Sequence, residues 1–433
     1  MTALFPLRFT LRSGLALLAL LLGGAGCGDD GDDKAGTGGT GGAGTCGGAD
    51  TSGCTVVVSP SADDTTKLKE ALIGVTSGGT VCLCPGTYKP TAQLSLNVKD
   101  VTVRGLGAGV EDTVLDYADQ TQDSNSFLVT SDGFTVENIW LKNSPGNGIV
   151  VQGAEDVTFR KLKVSWDAGS VTANGAYAVY PVSSKRVLVE DSEVVGAADA
   201  GIYVGQCEQA IVRRNKVYGN VAGIEIENSL DAEVYENEAY DNTAGILVFT
   251  LPNLQLKDGA RALVRDNLVK DNNRENFAEE GTIVSYVPPG TGMMVLSSDR
   301  TEIRDNTIEG NVSAGILVLS GKTVDIILPS TPDPGTDPYP EGTYIHSNTF
   351  TNNGTAPEGI LATLGLASLE NVLWDGYVSP AASLGNPLCL GTAPLPTFRN
   401  FAVPEGGLAD MSKHTTDATA HECTLEALPA VSW

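Results

Sequence analysis

Positive charge is scarce in this chain, histidine scarcer, and long apolar runs are nearly missing. Lys and Arg number 27 against 53 Asp and Glu, for a formal net charge of −26. A surface this acidic repels phosphate backbones and anionic headgroups, which argues against nucleic acid as a partner and against polybasic membrane docking. The three histidines, His346, His414 and His421, leave little room for imidazole chemistry. Nucleophile elbows of the Gly-x-Ser-x-Gly kind, Cys-x-x-Cys metal spacing and phosphate loops are all missing.

The main apolar run, residues 15–22, follows Arg8 and Arg12 and precedes Ala25-Gly26-Cys27. It is too short and wrongly flanked for a stable membrane span and reads as a secretion signal over residues 1–26. Ala-Gly directly before Cys resembles a bacterial lipobox, with Gly24 where leucine is usual. The resemblance implies a lipid on Cys27 and a lipid anchor in the membrane. Residues 27–53 are rich in Gly and Asp and read as a flexible tether. Removing the signal takes away two positive charges and leaves the product still more acidic.

Beyond Cys27 there are seven cysteines. In an exported chain these are disulfide partners rather than metal ligands. Cys207, alone in mid-repeat, is the expected free thiol. Local pairing suggests Cys46 with Cys54 and Cys389 with Cys423. Cys82 and Cys84 fall on one face of a strand, which fits disulfides to neighbouring segments.

What the sequence does have is a repeat. Asn215-Lys-Val-Tyr-Gly-Asn220-Val-Ala-Gly223-Ile returns 22 residues later as Asn237-Glu-Ala-Tyr-Asp-Asn242-Thr-Ala-Gly245-Ile. Val-Arg-Asp-Asn267, Ile-Arg-Asp-Asn306 and Ile-His-Ser-Asn348 continue it, and Gly-hydrophobic starts recur at Gly148, Gly201, Gly292 and Gly315. Apolar residues alternate with period two and are rich in Val and Ile, which is strand patterning at a solenoid period. A leucine-rich repeat would need a Leu framework and a helical segment, and neither is present. A three-strand coil remains: an all-β, right-handed single-stranded parallel β-helix over residues 54–358. Stacking would bring Asn215, Asn237, Asn267, Asn306 and Asn348 into a side-chain ladder at ~4.8 Å spacing, with small-residue and glycine turns at the corners.

The pattern Gly-Ile-x-Val followed by Ile-x-x-Asn-x-Ile-x-x-Asn resembles the repeat of the right-handed, pectin-lyase-like superfamily, as seen in bacterial envelope lipoproteins. The resemblance runs from about residue 81 to 350. It also takes in "ALIGVTSGGTVCLCPGTYK" and "VTVRGLGAGVEDTVLD", which look like the superfamily's N-terminal cap and first coils. It implies a short capping helix at 65–75, since an open coil end exposes unpaired edges and apolar core. The catalytic motifs of the superfamily's pectate lyases, pectin methylesterases and polymer epimerases have no match here.

Aligned Gly-Ile strands place Tyr180, Tyr203, Glu225 and Glu227 outward on neighbouring coils, followed by an apolar stripe of Leu247, Phe249, Met294, Leu296, Leu317 and Leu319. A stripe of that length should be covered, and insertions 250–259 and 321–341, or the tail, are expected to cover it. A third insertion, 273–290, leaves from another corner and carries Glu275, Glu279 and Glu280. Aromatic rings beside carboxylates suit sugars, and two outward glutamates ~7 Å apart fall in the range of inverting glycoside hydrolysis. Glu225 and Glu227 are therefore the candidate catalytic pair and Tyr180 and Tyr203 the candidate substrate contacts. A solvated acidic strand is the plain alternative. No cofactor is identified. Hard oxygen ligands admit Ca2+ at these or the insertion acids, although no spacing matches an established calcium loop.

Residues 359–433 lose the repeat and read as an irregular C-terminal cap, stapled by Cys389 and Cys423 and packed by Trp374 and Trp433. Two functions stay open. One is an envelope protein that binds a polysaccharide, and as an enzyme would be a lyase, hydrolase or epimerase. The other is a non-catalytic scaffold for another envelope protein.

Overall fold

The computed structural model describes residues 46–328, 333–381 and 386–433. The signal, Cys27, most of the tether and part of the proline-rich insertion lie outside the described residues. The described chain is a right-handed parallel β-solenoid of about 13 turns. Its strands form one sheet of 20 and another of 11, and all its named strand pairs are parallel. Inward positions alternate as the sequence requires. Val189, Val212, Val234, Val264, Ile303 and Ile345 stack in register through the interior, all buried.

The corners rest on asparagine. Asn215 donates its side-chain amide to Asn237 Oδ1 at 3.0 Å, Asn237 to Asn267 at 3.0 Å, Asn267 to Asn306 at 2.9 Å and Asn306 to Asn348 at 2.9 Å. A second ladder runs through Asn220, Asn242, Asn272, Asn311 and Asn353. The glycine expectation holds at two corners of the second ladder, where left-handed Gly219 and Gly310 precede Asn220 and Asn311, and fails at the first ladder. The residue before each first-ladder Asn is left-handed, yet it is Arg214, Glu236, Asp266, Asp305 or Ser347, with φ between 54° and 56°. Non-glycine residues rarely adopt this conformation. Here the ladder Asn of the next coil satisfies the backbone on both sides of the bend, as Asn237 does at Val212 O and Asn215 N around Arg214, and the ladder holds what glycine would otherwise permit.

Helix Asp64–Gly74 closes the N-terminal end, with Asp63 accepting from Thr66 N at 3.1 Å and Leu68, Ala71 and Leu72 buried. Disulfides join Cys46 to Cys84, Cys54 to Cys82 and Cys389 to Cys423, while Cys207 is free and buried. The local guess of Cys46 with Cys54 is thus overturned. Strand Val56–Val58 lies parallel to Thr80–Leu83, so the segment before it is laid along Cys82 and Cys84. Three disulfides fit an extracytoplasmic protein. Among the described residues no helix is long and apolar enough to cross a membrane.

The C-terminal region keeps more of the coil than its sequence suggests. Val372–Trp374, Phe398–Asn400 and Leu388–Cys389 add parallel strands to the two sheets. Trp374 is buried, but Trp433 is half exposed and does not pack as a cap. The tail runs back along the solenoid wall instead: Leu428 N donates to Glu302 Oε2 at 2.6 Å and Val431 N to Glu233 Oε2 at 2.9 Å.

Candidate functional site

The 11-stranded sheet carries the outward residues in the expected register. Tyr203, Glu225, Leu247, Met294 and Leu317 pair coil to coil, as do Gly205, Glu227, Phe249, Leu296 and Leu319. The apolar half of this face is covered, as expected. Leu251 from the first insertion and Val324 from helix Gly321–Ile327 pack on it, joined by Phe401 and Val403 of the C-terminal region. The insertion at 273–290 does the same with Ile283, Val284 and Val287, while Glu275, Glu279 and Glu280 stay exposed at its surface. A largely aliphatic cavity of about 240 Å³ remains beneath the cover. Buried Asp375 lies in its wall, accepting from Ser320 N and Thr323 Oγ1 at 2.6 Å each.

The mixed half is not the open strand face that alternation alone suggests. Tyr203, Glu225 and Glu227 are 5%, 3% and 7% exposed. Tyr177 and Tyr180 are half-buried above them, and the three rings meet at centroid distances of 4.4 to 4.9 Å. Tyr203 donates its hydroxyl to Glu227 Oε1 at 2.6 Å, and Tyr177 donates to Asp199 Oδ2 at 3.2 Å. The Tyr203 ring reaches across Gly205, where any Cβ would collide with it. Absence of a side chain at Gly205 is what lets the hydroxyl meet the next coil.

Three carboxyl groups therefore share one site. Burial is the leading cause in each case. It pushes Asp199 up to about 7, with the Glu227 charge adding to it. It holds Glu225 well above the usual carboxylate range, helped by the charges of Asp199 and Glu227. Glu227 is raised by burial and partly relieved by its hydrogen bonds from Tyr203 and Glu225. The two glutamates bond to each other, so they are not held apart around a water as an inverting pair would be. Their ~7 Å separation along the strand is closed by the side chains. Glu225 Oε2 is buried without a partner. Among the described residues no group of three or more His, Cys, Asp or Glu is arranged to hold a metal ion.

Sequence reasoning singled out neither Tyr177 nor Asp199. The signal was a departure from the repeat. Tyr177 stands in register with Ala200 and Ala222, and Asp199 precedes its strand where Val221 and Thr243 precede theirs.

Residues 147–328 match the family model of the right handed beta helix region. No curated protein matches the chain in sequence. Among solved structures it is similar to the A-module of a mannuronan C-5 epimerase from Azotobacter vinelandii, at 18% identity over 76% of this chain and 88% of that one, TM-score 0.46. An alginate lyase from a Paenibacillus species matches at 15% over 75% of this chain and 100% of that one, TM-score 0.48. The catalytic unit of an α-1,3-glucanase from Streptomyces thermodiastaticus matches at 16%, covering 76% and 60%, TM-score 0.47. These are likenesses of coil architecture.

Proposed function

We propose that this protein is exported, held at the envelope by a lipid on Cys27, and binds a polysaccharide where Tyr177, Tyr180 and Tyr203 meet Asp199, Glu225 and Glu227. The observation that carries the reading is that cluster. Perturbed carboxyl groups gathered with aromatic rings are a mark of functional sites, because burying them together disfavours folding and packing alone does not call for it. Half-buried tyrosine rings offer sugar-stacking surface. A carboxyl titrating near neutrality suits proton transfer, which gives Asp199 the role of general acid or base if the bound polymer is also cleaved or epimerised.

Glycan-array binding of the mature chain tests this. Tyr180→Ala should weaken binding at least tenfold with the fold intact. In an enzyme Asp199→Asn should abolish turnover while leaving binding largely in place. A chain that binds no glycan on the array fits the envelope scaffold instead and removes the reading.

The anchor has its own test. Fatty-acid labelling of cells should mark the wild type and leave Cys27→Ala unmarked. Label that persists in the variant would show that Cys27 is not the acceptor.

A further inference from the structure

Three buried carboxylates of the 20-stranded sheet are met by cations. Glu190 is held by Arg160, Arg213 and Arg214 at 2.5 to 2.7 Å. Glu233 pairs with Arg265 at 2.7 Å. Glu302 faces Arg304 at 3.3 Å and His346 at 3.1 Å. All three glutamates are 3% exposed or less.

The cluster on the other sheet has no such cation. Asp199, Glu225 and Glu227 have tyrosine hydroxyls and each other as partners, and no arginine, lysine or histidine pairs with any of them among the described residues. Glu225 Oε2 has no partner at all. Burying a carboxyl without hydrogen bond or counter-charge is strongly unfavourable, and at Glu190, Glu233 and Glu302 arginine offsets that cost. A positive group that donates hydrogen bonds would supply what these carboxyl groups lack, entering past the half-buried Tyr177 and Tyr180.

We infer that the ligand of this site is an amine-bearing sugar polymer, a glucosamine-type glycan whose ammonium groups lie against Asp199, Glu225 and Glu227 while its rings stack on the tyrosines. The inference rests on the polysaccharide reading above and narrows it. Polyuronates bring carboxylates to carboxylates and are repelled. Fully N-acetylated polymers can stack but bring no charge.

Titration calorimetry on the mature chain tests it with three hexasaccharides: glucosamine, N-acetylglucosamine and galacturonate. The glucosamine hexamer should bind at least tenfold more tightly than its acetylated counterpart, and the galacturonate hexamer should not bind. The triple variant Asp199→Asn, Glu225→Gln, Glu227→Gln should lose the preference for the amine. Should the triple variant fail to fold, Glu225→Gln alone serves, since it keeps the shape of the side chain and removes its charge. Retention of the preference in a folded variant would assign it to the overall negative charge and overturn the inference. Equal binding of amine and acetamide, or tighter binding of galacturonate, overturns it too but leaves the polysaccharide reading standing. Failure of every sugar to bind removes both. Ca2+ alone raising the melting temperature of the wild type but not of the triple variant would make a metal the occupant and also overturn it.

Discussion

Replacing Asn237 by alanine should destabilise the protein by about 3 kcal/mol or more, without touching the tyrosine site. Asn237 is 2% exposed. Its Oδ1 accepts from both the backbone N and the side-chain amide of Asn215, each at 3.0 Å. Its own amide donates to Val212 O at 2.9 Å and to Asn267 Oδ1 at 3.0 Å. Alanine leaves the Asn215 N–H buried and unpaired and opens a gap in the middle of the ladder. Each orphaned buried group costs about 1–3 kcal/mol, and at least two are orphaned here. Arg214, left-handed at φ 54°, also loses the side chain that holds its bend. The check is chemical denaturation of wild type and variant. A midpoint unchanged within error would mean that the ladder tolerates a missing rung and that the corners are held by backbone pairing alone.

That prediction was available from the sequence because a ladder is a one-dimensional object. A spacing of 22 residues between Asn215 and Asn237, with matching apolar alternation, fixes coil, corner and register together. The outward residues followed from the same register, and Tyr203, Glu225 and Leu247 stand where alternation puts them. Their burial did not follow. It depends on what the insertions and the Tyr177 and Tyr180 rings lay over the face, and those segments have no period to read. Nor was the hydrogen bond between Glu225 and Glu227 legible, because strand spacing sets the separation of Cβ atoms and leaves the carboxyl groups free to turn toward each other. The same limit explains the cysteines. The shared face of Cys82 and Cys84 came from alternation, whereas the choice of partners required knowing that Val56–Val58 pairs beside them. Trp374 and Trp433 looked equivalent as cap residues, yet one continues a sheet and the other ends an extended tail.

The carboxyl cluster should make the folded protein more stable as pH falls from 8 to about 6.5, the reverse of an ordinary salt-bridged acid. Asp199 is pushed up from 3.8 to about 7, chiefly by burial, and Glu225 and Glu227 are raised with the same leading cause. Tyr177, Tyr180 and Tyr203 face the cluster and stay neutral throughout, their phenols also raised by burial. Between the unfolded value near 4 and the folded value near 7 the native state holds protons that the unfolded chain has released, so stability falls as pH rises through this window. Asp299, raised to about 7, and Asp375, raised to about 6, act in the same direction. His421, lowered by burial, acts against it only as pH drops through 6.5, which sets the lower edge of the window. With about 1.4 kcal/mol per pKa unit, the gain on acidification should be on the order of 2 kcal/mol, a few degrees in melting temperature. The triple variant Asp199→Asn, Glu225→Gln, Glu227→Gln should be more stable than wild type at pH 8 and show a shallower slope, the remainder belonging to Asp299 and Asp375. A wild type whose melting temperature is flat or rises between pH 6.5 and 8 would mean that the cluster is already neutralised in the free protein, and a cationic ligand would then meet no charge there.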